Sequence, residues 1–328
     1  MEKIYSSLGL MSGTSMDGID ASIIKSNGED KCETVFDRYF EYDEDLYREL
    51  IDIRDKINSL KNLKEHSIEI NILERKITLF NAKICKQIIK ECALDLDLVG
   101  FHGQTIFHSA NEKISRQLGD GNLLSSLIEK KVVYNFRKND IINGGQGAPL
   151  APIFHHLLVK RNKIKLPACI LNIGGIANVT IISSEDPNDL KSYDIGPGNC
   201  LLDEWVRTHT KERYDKNGVL AKSGKTNGII LNQAIDTFDS VKKNNNLSFD
   251  IKDFDLNFVR GLSLEDGLST LVEFTASIIY DSIINENNFF KDKNLKILIC
   301  GGGRKNLSLF NAIKKKLPKK INLNLIDD

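Results

Sequence analysis

The segment GLMSGTSMDGID, residues 9–20, holds the groups best suited to chemistry in this chain. Apolar runs typical of β-strands flank it at residues 4–8 and 21–24, so the sequence predicts a strand, a turn and a returning strand. Glycine permits backbone conformations closed to other residues, and successive amides with the Thr14 and Ser15 hydroxyls can donate to phosphate oxygens. The pattern predicts a phosphate-binding hairpin, with a glycine-rich turn that binds nothing as the alternative.

Two further glycine turns follow strand-like runs later in the chain. Gly174 and Gly175 lie in LNIGGIANVT, and Gly301, Gly302 and Gly303 lie in ICGGGRKN. Two hairpins can hold a polyphosphate from both sides, and a strand-to-helix glycine turn lets an adenine ring approach the backbone. The chain has no G-x-x-x-x-G-K-[ST] and no G-x-G-x-x-G at a strand-to-helix junction, which excludes a P-loop and argues against a Rossmann dinucleotide site.

Length and composition limit the class of protein and of partner. The 328 residues exceed one ordinary hydrophobic core, so two domains or lobes are expected. The 45 basic and 45 acidic side chains balance, which predicts no attraction to nucleic acid or to an anionic membrane. We find no apolar run of membrane-spanning length and no secretory signal, and six scattered cysteines predict free thiols in a reducing cytoplasm.

Strand-like and helical stretches alternate in both halves, which predicts an α/β protein. Each half begins with a strand, a glycine turn and a second strand, so we expect two similar lobes, residues 1–136 and 137–328. A single helix is expected over residues 65–92 and a polar loop over residues 102–116. Residues 143–152 (NGGQGAPLAP) are too rich in glycine and proline for regular structure.

The motifs and their order resemble a known family. The three glycine turns resemble those that surround ATP in the actin, hexokinase and heat-shock-chaperone ATPase superfamily. At closer range, the chain resembles the anhydro-N-acetylmuramic acid kinase family through the strings GLMSGTSMDGID, GFHGQTIFH, QLGDGN, NFRKNDIINGGQGAPLAP, LNIGGIANVT, YDIGPGNCLLDEW and ICGGGRKN, in this order. The match extends from Leu8 to about Leu317, nearly the whole chain.

This resemblance implies a two-lobed, actin-like (ribonuclease H-like) fold with ATP in the cleft between the lobes. It implies hydrolytic opening of 1,6-anhydro-N-acetylmuramic acid and ATP-dependent phosphorylation of the freed 6-hydroxyl, giving N-acetylmuramic acid 6-phosphate and ADP. Asp17 is the candidate ligand for Mg²⁺, which binds one or two carboxylates together with phosphates and water. The nucleotide contacts implied are Gly13, Thr14, Ser15, Met16, Asp17, Gly18, Ile19, Asp20, Asn172, Gly174, Gly175, Gly301, Gly302 and Gly303.

Asp194 in YDIGPGN fits the general base that this chemistry requires, since it ends a predicted strand and the glycine turn after it leaves space. Its alternative role is to cap the helix that begins near Gly198. Arg137 suits a lactyl carboxylate through its planar guanidinium, with an interlobe salt bridge as the alternative, and His102 is expected to hydrogen-bond rather than bind a metal. The sugar contacts implied are His102, Gln104, Thr105, Gln117, Asp120, Asn122, Arg137 and Asp140.

Two departures from the family pattern bear on these expectations. Residues 247–255 are LSFDIKDFD where the family often has a Lys-Ser-Thr-Gly-Arg type loop, and the chain ends at Asp328, before the C-terminal segment that family members usually carry. Two other functions therefore stay open: a nucleotide-binding member with impaired catalysis, and a simple sugar kinase. The expected partner is a small sugar, with no nucleic acid and no membrane. The oligomeric state, a homodimer included, is left open.

Overall fold

The computed structural model describes residues 3–109, 112–242, 249–285 and 295–326. The chain divides into two compact units, Met1–Ala148 and Pro149–Asp328. The first unit therefore includes residues 137–148, and within it Arg137 donates a hydrogen bond to His102. The separate functions assigned to the two lobes stay a prediction.

The first unit is built on one mixed sheet and a separate hairpin. Its strands are β1 (Tyr5–Met11), β2 (Gly18–Ser26), β3 (Cys32–Glu41), β4 (Leu98–Phe101), β5 (Gln104–Ser109), β6 (Ile114–Leu118) and β7 (Val132–Tyr134), and its helices are α1 (Glu44–Lys56), α2 (Leu60–Glu65), α3 (Ser67–Cys92), α4 (Gly121–Ile128) and α5 (Phe136–Ile142). Five strands form the sheet in the order β3-β2-β1-β4-β7, while β5 and β6 pair with each other. Strand β1 is antiparallel to β2 and parallel to β4, and β4 is parallel to β7.

Apolar side chains at helical spacing fix α1 and α3 against this sheet. Helix α1 begins at Asp43, whose carboxylate accepts the Leu46 amide, so one of the unpaired donors of the first turn is satisfied. Leu50 of α1 and Ile77 of α3 are buried in one core with Leu8 of β1 and its neighbours. Strand β1 is therefore held rigidly up to the point where the first glycine turn begins.

The second unit repeats the same plan. Its elements are α6 (Pro152–Arg161), β8 (Ala168–Ile173), β9 (Ile176–Ile182), β10 (Leu190–Pro197), α7 (Cys200–His209), α8 (Val219–Ser223), α9 (Gly228–Lys242), α10 (Leu264–Tyr280), β11 (Lys296–Cys300), α11 (Leu307–Lys316) and β12 (Asn322–Leu325). The sheet order is β10-β9-β8-β11-β12. Strand β8 is antiparallel to β9 and parallel to β11, and β11 is parallel to β12.

The two sheets thus share one topology, in which a three-stranded antiparallel meander is followed by two parallel strands on the other side of its first strand. This repetition confirms the α/β, actin-like fold class that the sequence predicts. It has a functional consequence within each unit, because parallel strands bring their carboxyl ends to one edge of a sheet. Loops that leave β1, β4 and β7 therefore lie at one edge of the first sheet, and those that leave β8, β11 and β12 lie at one edge of the second.

The structure corrects three details of the sequence prediction. The polar loop expected over residues 102–116 contains most of the β5–β6 hairpin. Burial alternates along the first residues of β5, as in a strand: Gln104 and Ile106 are buried, while Thr105 and Phe107 are more exposed. The helix expected over residues 65–92 begins at Ser67 as α3, and a short helix that was not predicted, α2, precedes it across a break at His66. Helix α5, directly after β7, was not predicted, because its short stretch lacks a clear apolar period.

Among the described residues, one helical segment, Leu264–Ile284, is long and apolar enough to cross a membrane by length and composition alone. Its most apolar stretch is 72% buried inside the second unit, and Leu268, Leu271 and Ile279 have no solvent exposure. The core helix of a globular unit has the same properties, so this segment is weak evidence for a membrane span. The six cysteines are all free, as the sequence predicts.

Candidate active site

The first glycine turn, residues 12–17, connects β1 to β2 and exposes its polar groups. Gly13, Thr14 and Ser15 are exposed, whereas the Met16 side chain is 1% exposed and belongs to the core of the first unit. The Met16 amide donates to the Gly13 carbonyl at 3.3 Å and closes the turn. Met16 has a left-handed backbone with φ of 57°, which is uncommon for a residue with a side chain. Its buried side chain anchors the turn, so any ligand contact from Met16 would come from its backbone.

The Asp17 carboxylate is oriented by two hydroxyl groups. Ser15 Oγ donates to Oδ1 of Asp17, and the Tyr39 hydroxyl also hydrogen-bonds to Asp17. Burial, followed by the charge of Asp17, raises the pKa of Tyr39 far above its usual value. A Cβ at Gly18 would clash with the Phe40 carbonyl oxygen and would lie 2.6 Å from the Tyr39 hydroxyl, so glycine is required here both by the backbone of β3 and for Tyr39 to reach Asp17. The spacing of the motif does not indicate Tyr39, which lies on a different strand.

Asp17 is the carboxylate of this turn that could hold a metal ion. Over the described ranges no group of three or more His, Cys, Asp or Glu side chains is close enough to hold a metal ion. Asp17 is half-buried at the end of the exposed turn. This arrangement fits a cation such as Mg²⁺, which takes one or two protein carboxylates and completes its shell with substrate phosphates and water.

The β5–β6 hairpin carries three of the predicted sugar contacts. Gln104 has no solvent exposure and donates from Nε2 to the Gly13 carbonyl at 2.9 Å. Thr105 Oγ1 accepts from Gln117 Nε2 at 3.1 Å, and Gln117 also donates to Ser115. The hairpin therefore contacts the first glycine turn through Gln104 and presents Thr105 and Gln117 as a bonded pair.

His102 and Arg137 meet at the carboxyl ends of β4 and β7. Arg137 donates from Nε to His102 Nε2 at 2.9 Å and from a terminal nitrogen to the Gly147 carbonyl at 2.8 Å. Since Nε2 of His102 accepts, its proton is on Nδ1, which lies 2.6 Å from the Gly103 carbonyl. Burial, and then the charge of Arg137, lower the pKa of His102 to about 3 and that of His108 to about 4. Both imidazoles are therefore neutral at pH 7, and the positive charge here is the guanidinium.

Other predicted sugar contacts have structural roles. Asp120 is the N-cap of α4 and accepts the amides of Asn122 and Leu123. Asp140 accepts the Gly147 amide at 2.8 Å and shapes the glycine-rich segment that follows α5. Asp120 and Asn122 are exposed, so both can still contact a ligand.

The second glycine turn is held by the segment that follows β10. The amides of Gly198 and Cys200 donate to the Gly175 carbonyl, at 2.8 and 3.1 Å, and the Asn199 amide donates to the Gly174 carbonyl at 2.8 Å. Asn199 also donates from its side chain to Gly174 at 3.1 Å. The DIGPGN motif therefore builds the β8–β9 turn as well as carrying Asp194. The spacing of the motif gave no hint of this bonding.

The third glycine turn packs on the end of β8. A Cβ at Gly301 would strike the Asn172 side chain, and one at Gly303 would strike Ile173. Gly301 also has a left-handed backbone, with φ of 80°. At Gly302, by contrast, a Cβ would meet nothing within 4 Å. Two of these glycines are thus explained by packing alone, and Gly302 is not.

Asp194 lies in β10, directly before a shift in the register of the β9–β10 ladder. Its Oδ2 accepts the Phe249 amide at 3.0 Å. The N-cap of α7 is Asn199, so Asp194 does not occupy the helix-capping position that was its alternative role. Phe249 packs against Phe238 and Phe254, which fixes the donor in place. Of the divergent loop 247–255, residues 247 and 248 lie outside the described residues, and Phe249 supports the carboxylate.

Neutral His102 predicts how the stability of the first unit depends on pH. A pKa of about 3 in the folded chain lies below the ordinary value of 6.5, so the unfolded chain binds the extra proton and stability falls as pH drops below about 6.5. We expect His102→Gln to lose about 2 kcal/mol less of its free energy of unfolding between pH 7 and pH 5 than the parent chain. Urea unfolding at both pH values measures this difference.

His66→Gln is the matched control, since the His66 side chain is 28% exposed on the surface between α2 and α3. An equal pH dependence in the His102 variant and the parent chain would contradict the buried neutral state.

Comparison with known proteins identifies the family. The family model for anhydro-N-acetylmuramic acid kinase matches residues 5–328. An anhydro-N-acetylmuramic acid kinase of Pelagibacter ubique is 66% identical over 328 residues, which cover 100% of this chain and 88% of the relative. The enzyme of the same name from Zymomonas mobilis is 35% identical over 319 residues, covering 94% and 84%.

Among solved structures, component A of the (R)-2-hydroxyglutaryl-CoA dehydratase of Acidaminococcus fermentans matches 98% of this chain and 92% of its own, with a TM-score of 0.48 and 12% identity. This likeness is too distant to bear on function. The match of the family model and the identity to the Pelagibacter enzyme together establish the family, and they confirm the enzyme class predicted from the motifs. This chain belongs to the anhydro-N-acetylmuramic acid kinase family.

Proposed function

We propose that this chain opens 1,6-anhydro-N-acetylmuramic acid with water and phosphorylates the freed 6-hydroxyl from ATP, in the cytoplasm, as a step of peptidoglycan recycling. The observation that carries the proposal is the family match over residues 5–328. In the structure, Asp194 lies in the second half of β10, and the residues that follow this strand hydrogen-bond to the second glycine turn. A nucleotide-binding member without catalysis has no use for a carboxylate held in this way, which favours an enzyme.

The exposed turn between β1 and β2 and the turn between β8 and β9 are proposed to donate amides to the phosphates of ATP. Thr14 and Ser15 are exposed and add hydroxyl donors. The open space at Gly302 suits the flat face of adenine. That one nucleotide is bound by turns from both units stays the prediction made from sequence. Asp17 is the residue proposed to hold Mg²⁺, which when bound offsets negative charge on the phosphates.

Asp194 is proposed to act as the general base. Its carboxylate accepts a proton from water as the water oxygen forms a bond to the anomeric carbon, and the bond from that carbon to the bridging oxygen breaks. The bridging oxygen becomes the 6-oxygen of the sugar and bonds to the γ-phosphorus of ATP. The bond between the γ-phosphorus and the oxygen that leaves with ADP breaks. The sum is anhydro sugar, water and ATP giving sugar 6-phosphate, ADP and one proton. Phe249 holds one carboxylate oxygen, which fixes the direction of the other.

Arg137 is proposed to bind the lactyl carboxylate of the sugar. Its contacts to His102 and Gly147 fix the plane of the guanidinium, and the two neighbouring imidazoles, His102 and His108, are uncharged at neutral pH. A guanidinium with fixed orientation suits a carboxylate because both groups are planar and can form two parallel hydrogen bonds. His102, Thr105 and Gln117 are proposed to contact sugar hydroxyl or amide groups.

The reaction is tested by ADP release with the anhydro sugar, with N-acetylmuramic acid and with glucose as separate acceptors. We expect turnover with the anhydro sugar and incorporation of one oxygen from ¹⁸O-labelled water at the anomeric carbon, because water opens the ether. Equal turnover with N-acetylmuramic acid and no label would identify a simple sugar kinase. Binding of ATP without turnover on any sugar would identify a catalytically impaired member.

Asp194→Asn tests the general base. We expect nucleotide affinity to be retained and kcat to fall by roughly 10²–10⁴, the usual contribution of a positioned base. Asp189→Asn, at an exposed position in the turn before β10, is the matched control and should keep nearly normal turnover. Near-normal kcat in the Asp194 variant would assign the base to another residue.

Gly302→Ala tests the third turn as a nucleotide contact. The new methyl group has open space, so we expect an unchanged melting temperature. We expect KM for ATP to rise about tenfold, which corresponds to about 1.4 kcal/mol, because the methyl group would keep a flat ring from the backbone. Gly261→Ala, also in open space but outside the predicted site, is the control. A KM equal to that of the control would remove Gly302 from the nucleotide site.

A further inference from the structure

Gln104 is buried in a way that the sugar-contact role does not explain. Its side chain has no solvent exposure, and its Nε2 donates to the Gly13 carbonyl across 91 positions of sequence. Its Oε1 is buried and has no hydrogen-bond partner among the described residues. A buried acceptor without a partner costs stability, so this amide is retained for something other than packing.

The side-chain amide of Gln104 donates mainly to one distant peptide group, since its only other acceptor among the described residues is the carbonyl of the neighbouring Thr105, at 3.5 Å. The Gly13 carbonyl accepts Gln104 at 2.9 Å and the Met16 amide at 3.3 Å, so Gln104 is the closer donor. The peptide between Gly13 and Thr14 is trans, since the one cis peptide of the described residues is Leu166-Pro167. In a trans peptide the N–H points opposite to the carbonyl. Holding the Gly13 oxygen therefore fixes the direction of the Thr14 amide, which makes no hydrogen bond within the described chain.

Glycine makes this restraint necessary. A Cβ at Gly13 would meet only the Ser15 hydroxyl, at 3.7 Å, so no neighbouring atom crowds this residue. Glycine has the widest range of backbone conformations, and an unrestrained amide would lose part of its binding free energy to ordering. Two donors therefore hold the Gly13 carbonyl at the exposed end of the turn: the Met16 amide, which closes the turn, and the buried Gln104 side chain behind it.

We infer that Gln104 is a positioning residue that directs the Thr14 amide toward the phosphates of the nucleotide, rather than a sugar contact. This inference rests on the proposed nucleotide site. It also assigns different ligands to two neighbouring glutamines of one hairpin. Gln104 serves the nucleotide through the turn, and Gln117, which bonds to Thr105 and Ser115, serves the sugar.

Gln104→Met tests the inference, because methionine has a similar length and removes the donor together with the unpartnered acceptor. We expect an almost unchanged melting temperature and a dissociation constant for a non-hydrolysable ATP analogue with Mg²⁺ that rises about three- to tenfold, the usual effect of one hydrogen bond. KM for the sugar should stay within about twofold of the parent value, because a tenfold rise in this KM would indicate a lost contact between Gln104 and the sugar. Gln117→Met is the matched control and should show the reverse pattern.

Gln104→Asn provides a second variant, since its amide is one methylene too short to reach Gly13. It should raise the dissociation constant of the ATP analogue to the same extent. Loss of sugar affinity with normal nucleotide affinity would overturn the inference and restore the sugar contact. Failure of both variants to fold would also overturn it, because the role would then be structural. If the parent chain itself does not bind the ATP analogue, both the proposed nucleotide site and the role of Gln104 are wrong. If the parent chain and both variants bind the analogue equally well, only the role of Gln104 is wrong.

Discussion

The carbonyl oxygens of the glycine turns are the groups on which the rest of the site depends. A turn that offers its amides to a ligand must satisfy its carbonyls from behind, because each peptide presents the two groups in opposite directions. In the first unit the Gly13 carbonyl accepts Met16 and Gln104. In the second unit the carbonyls of Gly174 and Gly175 accept amides of residues 198–200. The same physical requirement is met once by a buried side chain and once by the start of a helix.

This requirement explains why each motif does two things. The DIGPGN segment places Asp194 and, four residues later, supplies the donors that build the neighbouring turn. The HGQT segment places His102 beside Arg137 and supplies Gln104 to the first turn. Chemistry and support are therefore carried by residues only a few positions apart. His102 lies in the short link between β4 and β5, Gln104 begins β5, and Asp194 lies four residues before the donors that follow β10. A movement of the supporting residue would therefore shift the backbone that carries the chemical group.

The sequence predicted those features whose signal is local. Apolar periodicity predicts α1, β8 and most of the second unit, and glycine turns between apolar runs predict both hairpins. The missing features depend on partners distant in sequence. Tyr39 lies on β3 and reaches Asp17 because Gly18 leaves space, and Phe249 reaches Asp194 through a loop that differs from the family pattern. Spacing within a motif contains no information about such contacts.

The glycines show most clearly how a motif mixes two physical causes. Gly18, Gly301 and Gly303 are required by their neighbours. A Cβ at Gly18 would strike the Phe40 backbone and Tyr39, one at Gly301 would strike Asn172, and one at Gly303 would strike Ile173. Gly13, Gly174 and Gly302 have no such requirement, since their nearest foreign atoms would be at ordinary contact distance or absent. A glycine that packing does not require still destabilises the folded chain through its unfolded-state entropy. The fold accounts for Gly18, Gly301 and Gly303, whereas for Gly13, Gly174 and Gly302 the proposed nucleotide contacts supply a reason that packing does not. A match between sequence motifs gives all six glycines equal weight. The space available for a Cβ at each position distinguishes the glycines that packing requires from those that it does not.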